Sequence, residues 1–335
     1  MTSFLQRLSH KISKEVIYIY NDIFKPSFNL PSTTILCFHG IDEVGNTRIN
    51  SRFLSAEKFR AFLKLCLDKQ VEFITVKDAF EVTNPSNKPQ IALTFDDGYR
   101  NIKSHLLPIL EEFNVPASIY ITTVRAMGMD MLWTDCLDLS AYINHNSFKW
   151  RGDLFVYSGK KGYRSHKTGQ YLKALAKKER WPYLQEMMSV LPGASEIRLR
   201  EDLKIYWELL NEEEIKLLSQ SPLIQIGAHG VTHSNLEVTS LQESIEEINT
   251  SKAFLEQIIQ RKITELAYPF GKFSEELIDY AKSTGFQRQL IDDTENRVNA
   301  LNTCLNRRII NPHISNFNQL TNISKNPMAW KGTKT

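Results

Sequence analysis

The chain is predicted to be an α/β protein, a distorted (β/α) barrel of about seven units carrying a mostly helical insertion. Three observations support this. From residue 33 onward, short apolar runs rich in β-formers alternate with helical patterns. Residues able to do chemistry stand at the C-terminal ends of those runs. The alternation breaks once, between about 126 and 220, and there the pattern after Gly169 turns helical.

The elements follow in order. Residues 1–32 read as an N-terminal helical segment, because Phe4, Leu5, Leu8, Ile12, Val16, Ile17 and Tyr20 recur at helical spacing. It is expected to pack on the domain; a helix lying on a membrane surface is the alternative. The barrel is expected over 33–325. Its first buried strand is Thr33-Thr34-Ile35-Leu36-Cys37-Phe38, ending at His39-Gly40. Ser55 can cap a helix whose stripe is Phe59, Phe62, Leu63, Cys66 and Leu67. Residues 71–76 and 91–95 are strand-like, 101–113 helical and 116–123 a strand. After the insertion, Leu223-Ile224-Gln225-Ile226-Gly227-Ala228 is a strand. Ser240 and Glu243 form a capping box for a helix reaching Ile258. Strands at 266–268 and 286–291 flank a helix over 274–284, and 326–335 is a C-terminal tail.

The 126–220 insertion holds Trp133, Trp150, Trp181 and Trp207. Between Lys149 and Arg180, ten basic residues face only Asp153 and Glu179. Such a block is either a solvated face or an anion-facing cover over the site, suited to a phosphate-bearing glycan or a membrane surface. The basic and aromatic pattern of a nucleic-acid module is missing, so no nucleic acid is expected.

Composition sets outer bounds. Of 335 residues 42% are apolar and 24% charged, with net charge +3, as in soluble globular proteins. Cys37, Cys66, Cys136 and Cys304 are too scattered for a zinc knuckle or a disulfide framework, which favours reduced thiols. There is no apolar run of 18 residues to span a membrane. Arg7, Lys11, Lys14 and Glu15 interrupt any leader-like stretch. A cytoplasmic protein is expected, at most peripheral at the inner membrane face.

Two strings carry the chemistry. Asp96 and Asp97 stand side by side in Thr94-Phe95-Asp96-Asp97-Gly98-Tyr99, and His229 and His233 bracket His229-Gly230-Val231-Thr232-His233. One carboxylate with two imidazoles is a facial set that leaves positions open on a divalent metal. On extended backbone the two acids point apart, so the other is free to act as a base. Gly230 stands where a thermolysin-type zinc helix has its general-base Glu, which excludes that arrangement.

These strings, with Ala267-Tyr268-Pro269-Phe270-Gly271, resemble the polysaccharide deacetylases with a NodB homology domain (carbohydrate esterase family 4). The resemblance runs from about Thr33 to Asn311 apart from the insertion. It implies a metal, usually zinc, and removal of acetyl groups from N-acetylated sugars. Carried over by position, Asp97, His229 and His233 would hold the metal and Asp96 would be the base. Phe270 would offer its backbone N–H to the oxyanion. Leu36-Cys37-Phe38-His39-Gly40-Ile41 resembles the acid motif of the circularly permuted branch, and makes His39 the proton donor. The implied substrate is an N-acetylated sugar of a polysaccharide, or of a phosphate-bearing or lipid-linked glycan. An O-acetyl ester or non-sugar amide on the same metal is one alternative; a carbohydrate-binding barrel with weakened turnover is another. Two departures stand out. Ala267 occupies the place of an Arg that orients the base in many members, so either another cation substitutes, with Arg100 or Arg308 as candidates, or Asp96 is tuned differently. An Asp-x-x-Asp-Trp string is missing, and Trp133-Thr134-Asp135 is a candidate to lie near the site.

Overall fold

A parallel sheet whose strands are continuous apolar runs must be covered on both faces. The computed structural model, which describes residues 2–81, 86–291 and 304–325, has that architecture. Its main strands are β1 (Thr33–Phe38), β2 (Glu72–Ile74), β3 (Gln90–Phe95), β4 (Ala117–Ile121), β5 (Ile224–Ala228), β6 (Glu265–Ala267), β7 (Arg288–Ile291), β8 (Cys304–Asn306) and β9 (Arg308–Ile309). Side by side they run β8-β7-β6-β5-β4-β3-β1-β9, with β2 beside β3. Every pairing is parallel. Residues 90–92 of β3 face β2, and residues 93–95 face β4.

Only Arg307 separates β8 from β9. Gln289 is in register with Cys304 on one side, and Leu36 with Arg308 on the other. One extended segment therefore pairs with β7 and with β1, and closes the sheet into the expected distorted barrel. That last stave went unforeseen, because its residues are short of a full apolar run.

Helices α1 (Thr2–Phe24), α2 (Ala56–Asp68), α3 (Leu107–Phe113), α4 (Trp133–Ile143), α5 (Leu241–Ile259), α6 (Glu275–Ser283) and α7 (Asn316–Lys325) surround it. Ser55 caps α2 by accepting from the Lys58 N–H, and Phe59, Phe62, Leu63 and Cys66 are buried as the stripe requires. Burial of each Phe stabilises the fold by roughly 1.5–3 kcal/mol relative to exposure. The Ser240–Glu243 capping box opens α5. Before α3 lies a π-helical turn, Ile102–Leu106, with Leu107 N–H bonded to Ile102 O. Pro108 has no N–H for a regular turn at this point. The strand expected over 71–76 is shorter, since Thr75 caps a short helix, Val76–Phe80.

The insertion forms its own apolar cluster, into which Phe53 and Tyr99 of the barrel side project. It is less helical than expected. Phe148–Trp150, Asp153–Tyr157 and Tyr163–Ser165 make an antiparallel sheet. Arg151 (φ 50°) and Gly152 (φ 72°) form its first turn, the left-handed pair that matches hairpin twist. Arg-Gly is a weaker sequence signal than Asn-Gly, which is why the hairpin escaped notice.

Helix α1 touches the rest through polar residues. Asn21 Nδ2 donates to Asn318 Oδ1 (2.8 Å), and Asn318 Nδ2 to Tyr18 O (3.0 Å) and Asp22 Oδ2 (3.0 Å). On the opposite side Ile12, Val16, Ile19 and Ile23 are 53–66% exposed. Their spacing makes one uncharged stripe. Among the described residues no helix is long and apolar enough to cross a membrane. All four cysteines are free thiols.

Candidate metal-hydrolase site

Parallel strands deliver their C-terminal ends to one mouth. His39 follows β1, Asp96 and Asp97 follow β3, His229 follows β5, and Tyr268-Pro269-Phe270 follow β6. Donor atoms of Asp97, His229 and His233 lie within 4.8 Å of one another, all three residues buried. His233 Nε2 stands 3.1 Å and His229 Nε2 3.7 Å from Asp97 Oδ1. A second group, Cys37, His39 and Asp96, converges within the same limit. The six residues expected at the site therefore gather at one end of the barrel, Phe270 through its ring 4.6 Å from that of His233.

The donor set fits a divalent cation on three grounds. Asp97 Oδ1 is buried and has no hydrogen-bond partner, a costly state for a carboxylate oxygen unless something positive meets it. His229 Nδ1 is 2.7 Å from Ala267 O, so it carries the proton and leaves the Nε2 lone pair toward Asp97. Burial also pushes the His229 pKa down, favouring the neutral ligand form. Backbone strain marks the same place. Asp97 (φ 75°), His233 (φ 55°) and Phe270 (φ 56°) are left-handed without being glycine, a conformation that costs about 1–3 kcal/mol each and persists where surrounding structure enforces it. Gly98 (φ 79°) follows Asp97, and an added Cβ there would meet Ile121 Cγ2 at 3.0 Å.

Two arginines divide the acids between them. Arg307 donates Nη1 to Asp96 Oδ1 (2.6 Å) and Nη2 to Oδ2 (2.7 Å). Of the two Asp97 oxygens Arg52 donates only to Oδ2 (2.9 Å), leaving Oδ1 to the histidines. Burial opposes ionisation of both acids. Arg307 outweighs it and holds Asp96 at about 2; Arg52 does the same for Asp97, well below the usual range. Burial and the nearby Arg52 charge push His39 down to about 4, so it is neutral at pH 7. Burial raises the Cys37 thiol, whose Sγ lies 3.4 Å from Asp96 Oδ2.

The expected substitutes for the missing Arg are corrected by this geometry. Arg100 faces outward and pairs with Glu208 and Glu214, each at 2.9 Å. Arg308 neighbours Arg307 on an extended segment, so the two side chains leave on opposite faces. The cation that meets Asp96 is Arg307, from across the barrel. Its guanidinium sits 5.6 Å over the Tyr120 ring, in the interior cluster that contains Ala267.

Arg52 also bonds Tyr99 Oη (2.8 Å) and Asp135 Oδ1 (2.9 Å). Trp133 Nε1 donates to His233 O (3.0 Å), so the Trp133-Thr134-Asp135 string does lie at the site. Arg52 was missed because it sits in a loop without pattern.

Residues 83–288, more than half of the chain, match a family model described as polysaccharide deacetylase. The chain belongs to the polysaccharide deacetylase family. YxkH of Bacillus subtilis (strain 168), whose name assigns it to these deacetylases, is 20% identical over 76% of this chain; the match covers 62% of YxkH. Among solved structures, IcaB from Ammonifex degensii superposes at a TM-score of 0.54 with 15% identity, covering 88% of this chain and 97% of that one. The Streptococcus pyogenes deacetylase PplD, solved with acetate, gives 0.51 with 16% identity over 88% and 99%. At such identities these likenesses speak for the deacetylase-family fold alone.

Proposed function

We propose that this chain is a metal-dependent hydrolase removing N-acetyl groups from an N-acetylated sugar, with zinc as the cation its donor set favours. The supporting observation is the unequal sharing of the two acids: Arg307 occupies both oxygens of Asp96, while Arg52 leaves Asp97 Oδ1 bare beside two imidazoles. Asp97, His229 and His233 would hold the cation. When bound, it polarises the acetamide carbonyl and acidifies the attacking water.

The chain's own residues handle the protons. Asp96 stays ionised across the working range and accepts the water's proton. Its low basicity makes help from the cation necessary. His39, uncharged at rest and near Asp96, receives a proton during the reaction and passes it to the leaving nitrogen. The left-handed turn at Phe270 supports its backbone N–H as the oxyanion donor, a contact worth roughly 3–4 kcal/mol in such sites.

Ala267 favoured a weakened carbohydrate-binding barrel, but Arg307 removes that support. An O-acetyl ester or non-sugar amide would use the same groups, so substrate comparison decides between them. Contact of α1 with a membrane surface, suited to a lipid-linked glycan, is supported by the uncharged Ile12-Val16-Ile19-Ile23 stripe. The deciding experiment is acetate release from an N-acetylated chito-oligosaccharide by zinc-loaded protein. Release at the parent rate by Asp96→Asn would overturn the assigned base.

A further inference from the structure

Three members of the insertion's basic block are held by acids. Arg151 pairs with Glu179 (2.7 Å) and stacks on Tyr183 (4.1 Å), Lys173 pairs with Asp138 (2.5 Å), and Arg180 pairs with Glu243. Lys177 differs. Its Nζ lies 4.3 Å above the Phe270 ring, and that ring meets His233 edge-on at 4.6 Å. The lysine is half-buried, and among the described residues no carboxylate lies at ion-pair distance from it. The charges that reach it are mainly cations: Lys173, Arg52 and Lys272, with only Asp138 opposing, an acid already paired with Lys173. Burial and these neighbours push its pKa down. A half-buried ammonium among like charges is an electrostatic cost that a bound anion would offset.

We propose that Lys177 is the anchor for an anionic substituent, a phosphate or a carboxylate, carried by the glycan beside its reacting acetamido group. This rests on the reading of the site as an acetyl-sugar hydrolase. Lys177 Nζ and the His233 ring both pack on the Phe270 ring, at 4.3 and 4.6 Å from its centroid, so one side chain separates the lysine from the proposed reaction centre. Its compact charge on a flexible stem suits a tetrahedral or planar anion equally. The competing role is structural: the stem merely shields Phe270.

The test compares full-length parent, Lys177→Met and Lys177→Arg, zinc-loaded, on N-acetylglucosamine 1-phosphate, N-acetylmuramic acid and the neutral N,N′-diacetylchitobiose. In Lys177→Met the kcat/KM ratio of anionic to neutral substrate should fall at least about tenfold, as expected for one lost charge-assisted contact. Lys177→Arg should keep the parent ratio, and the anionic sugar that loses more names the substituent. Calorimetric binding of N-acetylglucosamine 1-phosphate to metal-free protein should weaken by a similar factor in Lys177→Met. An unchanged ratio, an equal loss on all three sugars, or parent binding no tighter than Lys177→Met overturns the proposal. If no sugar releases acetate yet Lys177→Met still loses phosphate-sugar binding, the hydrolase reading falls and the anion anchor stands.

Discussion

Arg307 grips Asp96 by both oxygens, and it does so from the one residue between the two half-strands that close the barrel. Both groups are buried. A carboxylate in such a place is tolerable only while its counter-ion is present.

Arg307→Met should therefore cost about 3–5 kcal/mol of unfolding free energy in urea, by stranding a buried charge. Combining it with Asp96→Leu should return much of that loss while acetate release stays absent. A single variant as stable as the parent would show that the pair is not compensating a buried charge.

Cation binding should appear as stabilisation without any turnover assay. Zinc at about 100 times its Kd adds roughly 2.7 kcal/mol to the folded state, and raises the melting temperature accordingly. The rise should vanish in His229→Ala and His233→Ala. Full metal content in either variant by elemental analysis would refute the ligand set.

Asp96→Asn should lower acetate release by at least ~10²-fold, the usual contribution of a positioned acid or base. Its zinc content should match the parent's, because Asp97 reaches both imidazoles, 3.1 Å from His233 Nε2 and 3.7 Å from His229 Nε2, whereas Asp96 stands 3.7 Å from His229 Nε2 and is gripped by Arg307.

His39 gives a pH signature in stability. Its folded pKa of about 4 lies below the ordinary 6.5. Between those values the unfolded chain binds more protons, so stability falls as pH drops through that window. Unfolding free energies of the parent and His39→Gln, compared from pH 7 to 4, should diverge there, the variant losing less. Asp96 contributes in a lower window, between 3.8 and about 2, where its protonation releases Arg307.

If α1 meets a membrane surface, the parent should co-sediment with anionic phospholipid vesicles, and Val16→Ser combined with Ile19→Ser and Ile23→Ser should not. Concentration-dependent dimerisation without vesicle binding would assign the stripe to a second copy instead.

What could be read in the chain and what could not divide along a physical line. β1, β3 and β5 are long apolar runs with β-forming residues, so their ends, and hence His39, Asp96, Asp97 and His229, were legible. β8 and β9 are three and two residues long and only partly buried. Which of two adjacent arginines turns inward depends on register against β7 and β1, a tertiary fact. Arg52 is likewise positioned by Tyr99 and Asp135, partners distant in sequence. The resemblance named the ligands but not the counter-ions, since Ala267 had removed the usual one.

The closing stave also governs when the site can come into being. Asp96 and Arg307 are 211 positions apart, and the ribosome delivers the carboxylate long before its counter-ion. Until residues 304–309 dock, the nascent barrel has an open seam at β1 and a carboxylate that must stay wet. A chain cut short before that segment would keep both acids and both histidines yet lack the charge that lets Asp96 be buried. Competence at this mouth thus depends on synthesis having passed residues 304–309.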